Sequence, residues 1–187
     1  MRKAIFAAIA VAAVALPVFA SVESGLKPGD RVTPFHPEHV VGPLAGTKNC
    51  FPCTFQSRPA VQVWVHGDSQ ENVASIVKCL KQNMEDHKAK EFKAMVVMVA
   101  DSASQKEDMK SMIADHCKEM GKDGVAIAVI DRDNEALKAY KINLDPSVKN
   151  TMIVYKDWKV AKTLVNVKMS DEKACGESCG AIALVTK

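Results

Sequence analysis

Val61-Gln62-Val63-Trp64-Val65-His66-Gly67-Asp68-Ser69 is the stretch on which the fold turns. Its first five residues are β-branched or aromatic at four positions, as a strand buried in a sheet requires, and His66-Gly67-Asp68 closes the run as a turn. Ser69 has the side chain of a helix N-cap. Beyond it Val73, Ile76, Val77, Leu80 and Met84 recur at three- and four-residue spacing, which predicts an amphipathic helix up to about Ala89. Strand, turn and helix in succession begin an α/β alternation.

The alternation continues downstream. Met95 to Ala100 is an apolar run of strand length, and Asp101-Ser102 leads into a second helix through Met109, Met112, Ile113 and Cys117, with Gly121 as its stop. Val125 to Ile130 reads as a third buried strand, followed by the turn Asp131-Arg132-Asp133 and a short helix, Asn134 to Tyr140. Thr151 to Tyr155 and Lys159 to Val167 flank Lys156-Asp157-Trp158 as a hairpin, and Ser170-Asp171-Glu172 opens a short terminal helix. This order predicts an α/β fold: a central mixed sheet of about five strands, helices on both faces, and a C-terminal antiparallel hairpin.

Upstream of Val61 the character changes. Residues 21–60 form a lead-in holding Pro28, Pro34, Pro37, Pro43, Pro52 and Pro59, six of the eight prolines, so no long helix or central strand can run through it. Before it, Arg2 and Lys3 precede the apolar run Ala4 to Leu16, which stops at Pro17-Val18-Phe19-Ala20 with residues a signal peptidase accepts. Residues 1–20 therefore read as a signal peptide, the run being shorter than the roughly 20 apolar residues of a membrane span. The expectation is a secreted or periplasmic protein of one domain, residues 61–187 behind the lead-in, without stable membrane insertion once the signal is cleaved. A formal charge of +3 over 187 residues, acids and bases interspersed, and 5% aromatic residues give no footprint for nucleic acid.

Chemistry is concentrated in six cysteines, an even set in a compartment that permits disulfides: Cys50, Cys53, Cys79, Cys117, Cys175 and Cys179. Cys50-Phe51-Pro52-Cys53 has the spacing of a reversible dithiol or of two ligands to one metal ion; Pro52 restricts the loop, and Lys48 and Arg58 are near enough in sequence to favour a thiolate. The leading reading makes Cys50 and Cys53 the exchanging pair, with thiols or disulfides of proteins in the same compartment as partners and no cofactor needed. Two others stay open. One is a purely structural staple, and the other a zinc or copper site of four thiolates, Cys50, Cys53, Cys175 and Cys179. Cys175 and Cys179 alone read as a disulfide-closed terminal loop, with Gly176 and Gly180 weakening any helix there. Cys79 and Cys117 fall near the apolar faces of the two long helices, as buried thiols or as a bridge between them. His36, His39 and His66 read as exposed, solvated side chains, and the methionines as core filler. No phosphate-binding glycine loop, His-Glu-x-x-His or Gly-x-Ser-x-Gly motif is present in the sequence.

The element order resembles the thioredoxin-like superfamily, in its redoxin and peroxiredoxin-type branch. The residues that carry the resemblance are Ala128-Val129-Ile130-Asp131-Arg132-Asp133, Leu137-Lys138-Ala139-Tyr140-Lys141-Ile142, Asn150-Thr151-Met152-Ile153-Val154-Tyr155 and the opening Gly25-Leu26-Lys27-Pro28-Gly29-Asp30. It implies an active-site Cys-x-x-Cys after the first core strand, but Trp64-Val65-His66-Gly67-Asp68 holds no cysteine. Ser69 to Ile76 has none at the position of a peroxidatic cysteine, which argues against a peroxidase of that kind. The superfamily's cis-proline falls on Asn150. The seven residues Thr54 to Ala60 reach up to roughly 25 Å when extended, enough to return Cys50 and Cys53 to the usual edge of the sheet or to leave them at the other. Nearness to Asn150 favours exchange at the usual edge; the opposite edge favours a staple.

Overall fold

The computed structural model of the protein describes residues 22–117, 120–121 and 123–187. The signal-peptide reading of residues 1–20 lies outside them. The elements run β1 (Glu38–Val41), α1 (Phe51–Phe55), β2 (Ala60–Val65), α2 (Gln70–Asp86), β3 (Lys93–Ala100), α3 (Ala103–His116), β4 (Ala126–Asp131), α4 (Glu135–Ala139), β5 (Asn150–Lys156), β6 (Lys159–Val165) and α5 (Glu172–Thr186). They build one six-stranded mixed sheet in the order β1-β4-β3-β2-β5-β6. Its middle is the parallel set β2, β3 and β4; β5 runs antiparallel to β2, β6 to β5, and β1 to β4. The sixth strand, β1, comes from the lead-in, where Glu38, His39 and Val41 pair with Val129, Ala128 and Ile127.

Alternation along the strands divides the core in two. Ala60 and Trp64 of β2, Met95, Val97 and Val99 of β3, and Ala126, Ala128 and Ile130 of β4 point to one face, covered by the lead-in residues Leu26, Val32, Phe35 and Leu44, by Phe51 of α1, and by Ala136, Leu137 and Tyr140. Val61, Val63, Val65, Val96, Val129 and Val154 point to the other, covered by Ile76 and Leu80 of α2, Ile113 of α3, and Ala181, Ile182 and Val185 of α5. Helices thus cover both faces.

Local signals set the boundaries. The Ser69 hydroxyl accepts from the Asn72 N–H at 3.2 Å, and the Asn134 and Asp171 side chains cap α4 and α5 in the same way. The β5–β6 hairpin turns through Asp157 and Trp158, both at positive φ (52° and 65°), the backbone hand that matches strand twist. Where the sequence pattern runs on to Gly121, α3 ends at His116 with Cys117 as its C-cap. The loop expected around Cys175 and Cys179 is corrected to helix: α5 has 15 residues and carries both glycines, because burying Ala181, Ile182 and Val185 on the sheet outweighs two weak helix formers of about 1 kcal/mol each.

Candidate functional site

Cys50 and Cys53 are joined as a disulfide, their Cα atoms 5.2 Å apart. The sequence folds locally into a short helix because Pro52, with its fixed φ, stands in the first turn, and Cys50 acts as the N-cap. The Cys50 sulfur accepts the Cys53 N–H at 3.1 Å, and the Cys50 carbonyl accepts both the Thr54 N–H and its hydroxyl. Phe51, fully buried, anchors the helix in the core and stacks edge-on against Phe55 at 4.8 Å. The two sulfurs have different surroundings: Cys50 is 5% exposed, whereas Cys53 faces solvent.

Histidines of the lead-in hold the approach to this bridge. His39 exchanges backbone hydrogen bonds with the Gly46–Thr47 turn, its Nε2 meets the Asn49 carbonyl at 2.9 Å, and His36 Nδ1 meets that of Lys48 at 3.0 Å. The reading of His39 as solvated is corrected, since it is 4% exposed and burial pushes its pKa below the ordinary histidine value. Neither basic neighbour is free to attend the thiols alone. Lys48 pairs with Glu38 at 3.1 Å and Arg58 with Glu91 at 3.3 Å.

The segment that follows the bridge, from Phe55 on, runs to the Ala60 end of β2. Lys93, which opens β3, stands over the Phe55 ring at 5.4 Å, and Asp157 in the hairpin turn donates its N–H to the Ser57 carbonyl. Asn150 pairs with Val65 at the other end of β2, about 17 Å from Ala60 along the strand. Lys48 and Asn49, just before the bridge, are held by Glu38 and His39 of β1, and Glu38 pairs with Val129, level with Val65.

That usual edge holds a polar network in place of cysteines. His66 Nε2 meets Asp101 Oδ1 at 3.0 Å, and Arg132 donates to the same oxygen at 2.9 Å; the hydrogen-bonded His66 ring and then Arg132 hold the Asp101 carboxyl below its usual range. His66 is also corrected from a solvated side chain to a bonded one. Asn150, 2% exposed, donates to Asp68 at 2.6 Å and to the Val167 carbonyl at 2.9 Å, and accepts the Val167 N–H at 2.8 Å. It stitches the start of β5 to the turn before α2 and to the segment after β6.

The other four cysteines are free. Cys175 and Cys179 lie on α5, which covers the face opposite to Phe51, so the four-thiolate grouping with Cys50 and Cys53 does not come together. Among the described residues no group of three or more His, Cys, Asp or Glu is arranged to hold a metal ion. Cys117 borders a groove of about 900 Å³ between α2 and α3, while Cys79 is hydrogen-bonded to Cys179, with Cys175 near enough to act on it electrostatically. Sequence patterning had no means of finding that last contact, because helical phase does not say which helix lies alongside.

No protein-family model and no curated protein matches this chain. Solved structures do. An uncharacterized conserved protein from Geobacillus kaustophilus superposes with a TM-score of 0.60 at 17% identity, over 81% of this chain and 77% of that one. A putative thiol:disulfide interchange protein DsbE from Chlorobium tepidum gives 0.57 at 12% identity, over 84% and 99%. The yeast mitochondrial 1-Cys peroxiredoxin gives 0.54 at 13% identity, over 85% and 77%. The fold is thioredoxin-like. On that fold this chain carries a Cys50–Cys53 disulfide in the segment before β2.

Proposed function

We propose that this is an exported thiol–disulfide exchange protein whose working pair is Cys50 and Cys53. The observation that carries the reading is the asymmetry of the bridge: Cys53 is an exposed residue, whereas Cys50 is buried and its sulfur accepts a backbone N–H. A partner thiolate attacks Cys53 Sγ; the Cys50–Cys53 bond breaks, and Cys50 leaves as a thiolate eased by the Cys53 N–H. The partner's second thiolate then attacks its own sulfur in the mixed disulfide and releases Cys53. Two electrons have passed to this chain, and the partner is left oxidised. Run in reverse, the same steps reduce a partner disulfide. Partners are proteins with accessible thiols or disulfides in the compartment that the Arg2-Lys3 and Ala4 to Leu16 leader addresses.

Loop length also speaks for exchange. Closing a loop of four residues stabilises a fold by about 2 kcal/mol in the chain-entropy account, against about 4.7 for a 100-residue loop, so this bridge is a weak staple. The staple reading has one observation in its favour, the full burial of Phe51 between the two cysteines. Equilibrating the full chain in graded thiol–disulfide buffers and alkylating for mass spectrometry separates the two. Exchange requires a midpoint at or above roughly −270 mV, the value of thioredoxin; a bridge still closed well below that potential is a staple.

A further inference from the structure

Cys79, Cys175 and Cys179 belong to no part of the site above, yet Cys79 is hydrogen-bonded to Cys179 and lies near Cys175, although 96 residues of sequence separate it from Cys175. α2 and α5 both start at the Val65–Asn150 end of the sheet, since α2 follows β2 and α5 follows β6, which runs parallel to β2. Asn72 joins the two: its side-chain amide donates to the Val167 carbonyl at 2.9 Å and accepts the Met169 N–H at 2.9 Å, just ahead of α5. Cys79 lies seven residues past Asn72, on the same flank of α2 and about 10 Å down the axis. Cys179 lies seven residues past Glu172, about 10 Å down α5, and therefore level with Cys79. The opposite flank of α2, Val73, Ala74 and Val77, lines the groove toward α3 and Cys117. A bridge between Cys79 and Cys117 is thus turned away from, and Cys79 is turned toward α5.

The three thiols differ in access. Cys179 is exposed, Cys175 is half-buried one turn above it on the same face, and Cys79 is half-buried with Asn83 Nδ2 3.5 Å from its sulfur. Gly176 and Gly180 follow the two α5 cysteines with open space where a side chain would stand, which leaves both thiols clear on that side. Burial, then the neighbouring Cys179 and Cys175, pushes the Cys79 pKa up to about 12, so its sulfur rests as a thiol.

From this geometry we propose that Cys79 and Cys179 form a second dithiol–disulfide site, independent of Cys50 and Cys53, that exchanges with small thiol–disulfide couples of the glutathione type and links α2 to α5 when oxidised. The Cys179 thiolate attacks one sulfur of the small disulfide, forming a mixed disulfide and releasing one thiolate. Cys79 gives its proton to the small thiolate just released and attacks Cys179 Sγ; the mixed bond breaks, the second small thiolate leaves and is protonated from water, and the Cys79–Cys179 bond forms. Two protein thiols are oxidised and one small disulfide becomes two thiols. Only the entry sulfur needs solvent access.

The test is disulfide mapping of the full-length chain after equilibration with glutathione disulfide as the probe. Of the four free thiols, two are expected to disappear, with a Cys79–Cys179 peptide pair recovered and Cys117 and Cys175 still alkylatable. Cys175→Ser is expected to leave that pair intact, and Cys79→Ser to leave glutathione on Cys179. An alkylatable Cys79 in oxidised protein, with Cys175 and Cys179 joined to each other or glutathione retained on Cys179, overturns the proposal. These readings come from the unaltered chain, so they stand even where a variant fails to fold. The same digest reports Cys50–Cys53 separately, so either site can fail alone.

Discussion

Glu38 shows how one residue of the lead-in secures the edge of the sheet. Its carboxylate receives Lys106 at 2.8 Å, Lys110 at 3.1 Å and Lys48 at 3.1 Å, three cations from α3 and from the approach to the bridge. Hydrogen bonds from Lys106, Lys110 and Lys48, in that order, outweigh burial and bring its pKa down to about 2. In the unfolded chain the same group titrates near 4.3. The folded value is the lower one, so the stabilisation is complete above roughly pH 5 and is lost as pH falls toward 2. Allowing for solvent screening of a carboxylate with 24% of its side chain exposed, Glu38→Gln is expected to cost about 2 kcal/mol at pH 7 and almost nothing at pH 2. Urea unfolding at the two pH values measures the difference; an equal loss at both refutes the electrostatic account. The residue types were readable here, but the convergence was not, since Glu38 and Lys106 are brought together only by the pairing of β1 with β4.

Among the elements, those from β2 to β6 were legible because each carries its own signal: alternation in Val61 to Val65, a capping Ser69, an apolar run at Met95 to Ala100. β1 and α1 carried none. β1 is four residues long between Pro37 and Pro43, too short for a period to register, and its existence depends on a partner strand some ninety residues further on. α1 is a single five-residue turn whose hydrogen bonds close only once Phe51 is seated in the core. At α5 the local signal was present and misleading, because Gly176 and Gly180 argue for a loop while tertiary burial decides for helix. Both glycines are in helical conformation, and an added Cβ meets nothing within 4 Å at either. Gly176→Ala and Gly180→Ala are therefore each expected to stabilise the protein by about 1 kcal/mol, read as a rise in the denaturant midpoint without change in slope. A loss of stability at either position shows that the open space is used by something other than solvent.

For the molecule as a whole, the dithiol and the Val65–Asn150 end of the sheet are built from different segments of the chain. In the thioredoxin-like plan the edge at Val65, Asp101 and Asn150 combines the reactive sulfur with the backbone that orients a partner. Here that edge is closed by side chains bonded to one another, His66 to Asp101 and Asn150 to Asp68 and Val167, while the sulfurs belong to the segment before β2. Past Cys53 that segment carries Phe55 under Lys93, the Ser57 contact with Asp157 and the Arg58–Glu91 pair. His66→Ala removes the bond to Asp101 and leaves Arg132 as its partner, a change confined to the Val65–Asn150 end. It is expected to leave the rate of Cys50–Cys53 reduction by a protein dithiol within about twofold of the parent. Lys93→Glu takes the cation off the Phe55 ring, two residues past Cys53, and puts a like charge beside Glu91; if exchange runs through Cys53 it is expected to slow that reduction severalfold at low salt and less at high salt, as screening of an exposed charge requires. Stopped-flow reduction at two ionic strengths reads both. Were His66→Ala the slower of the two, the partner would be docking at the Asn150 edge rather than beside Phe55 and Lys93.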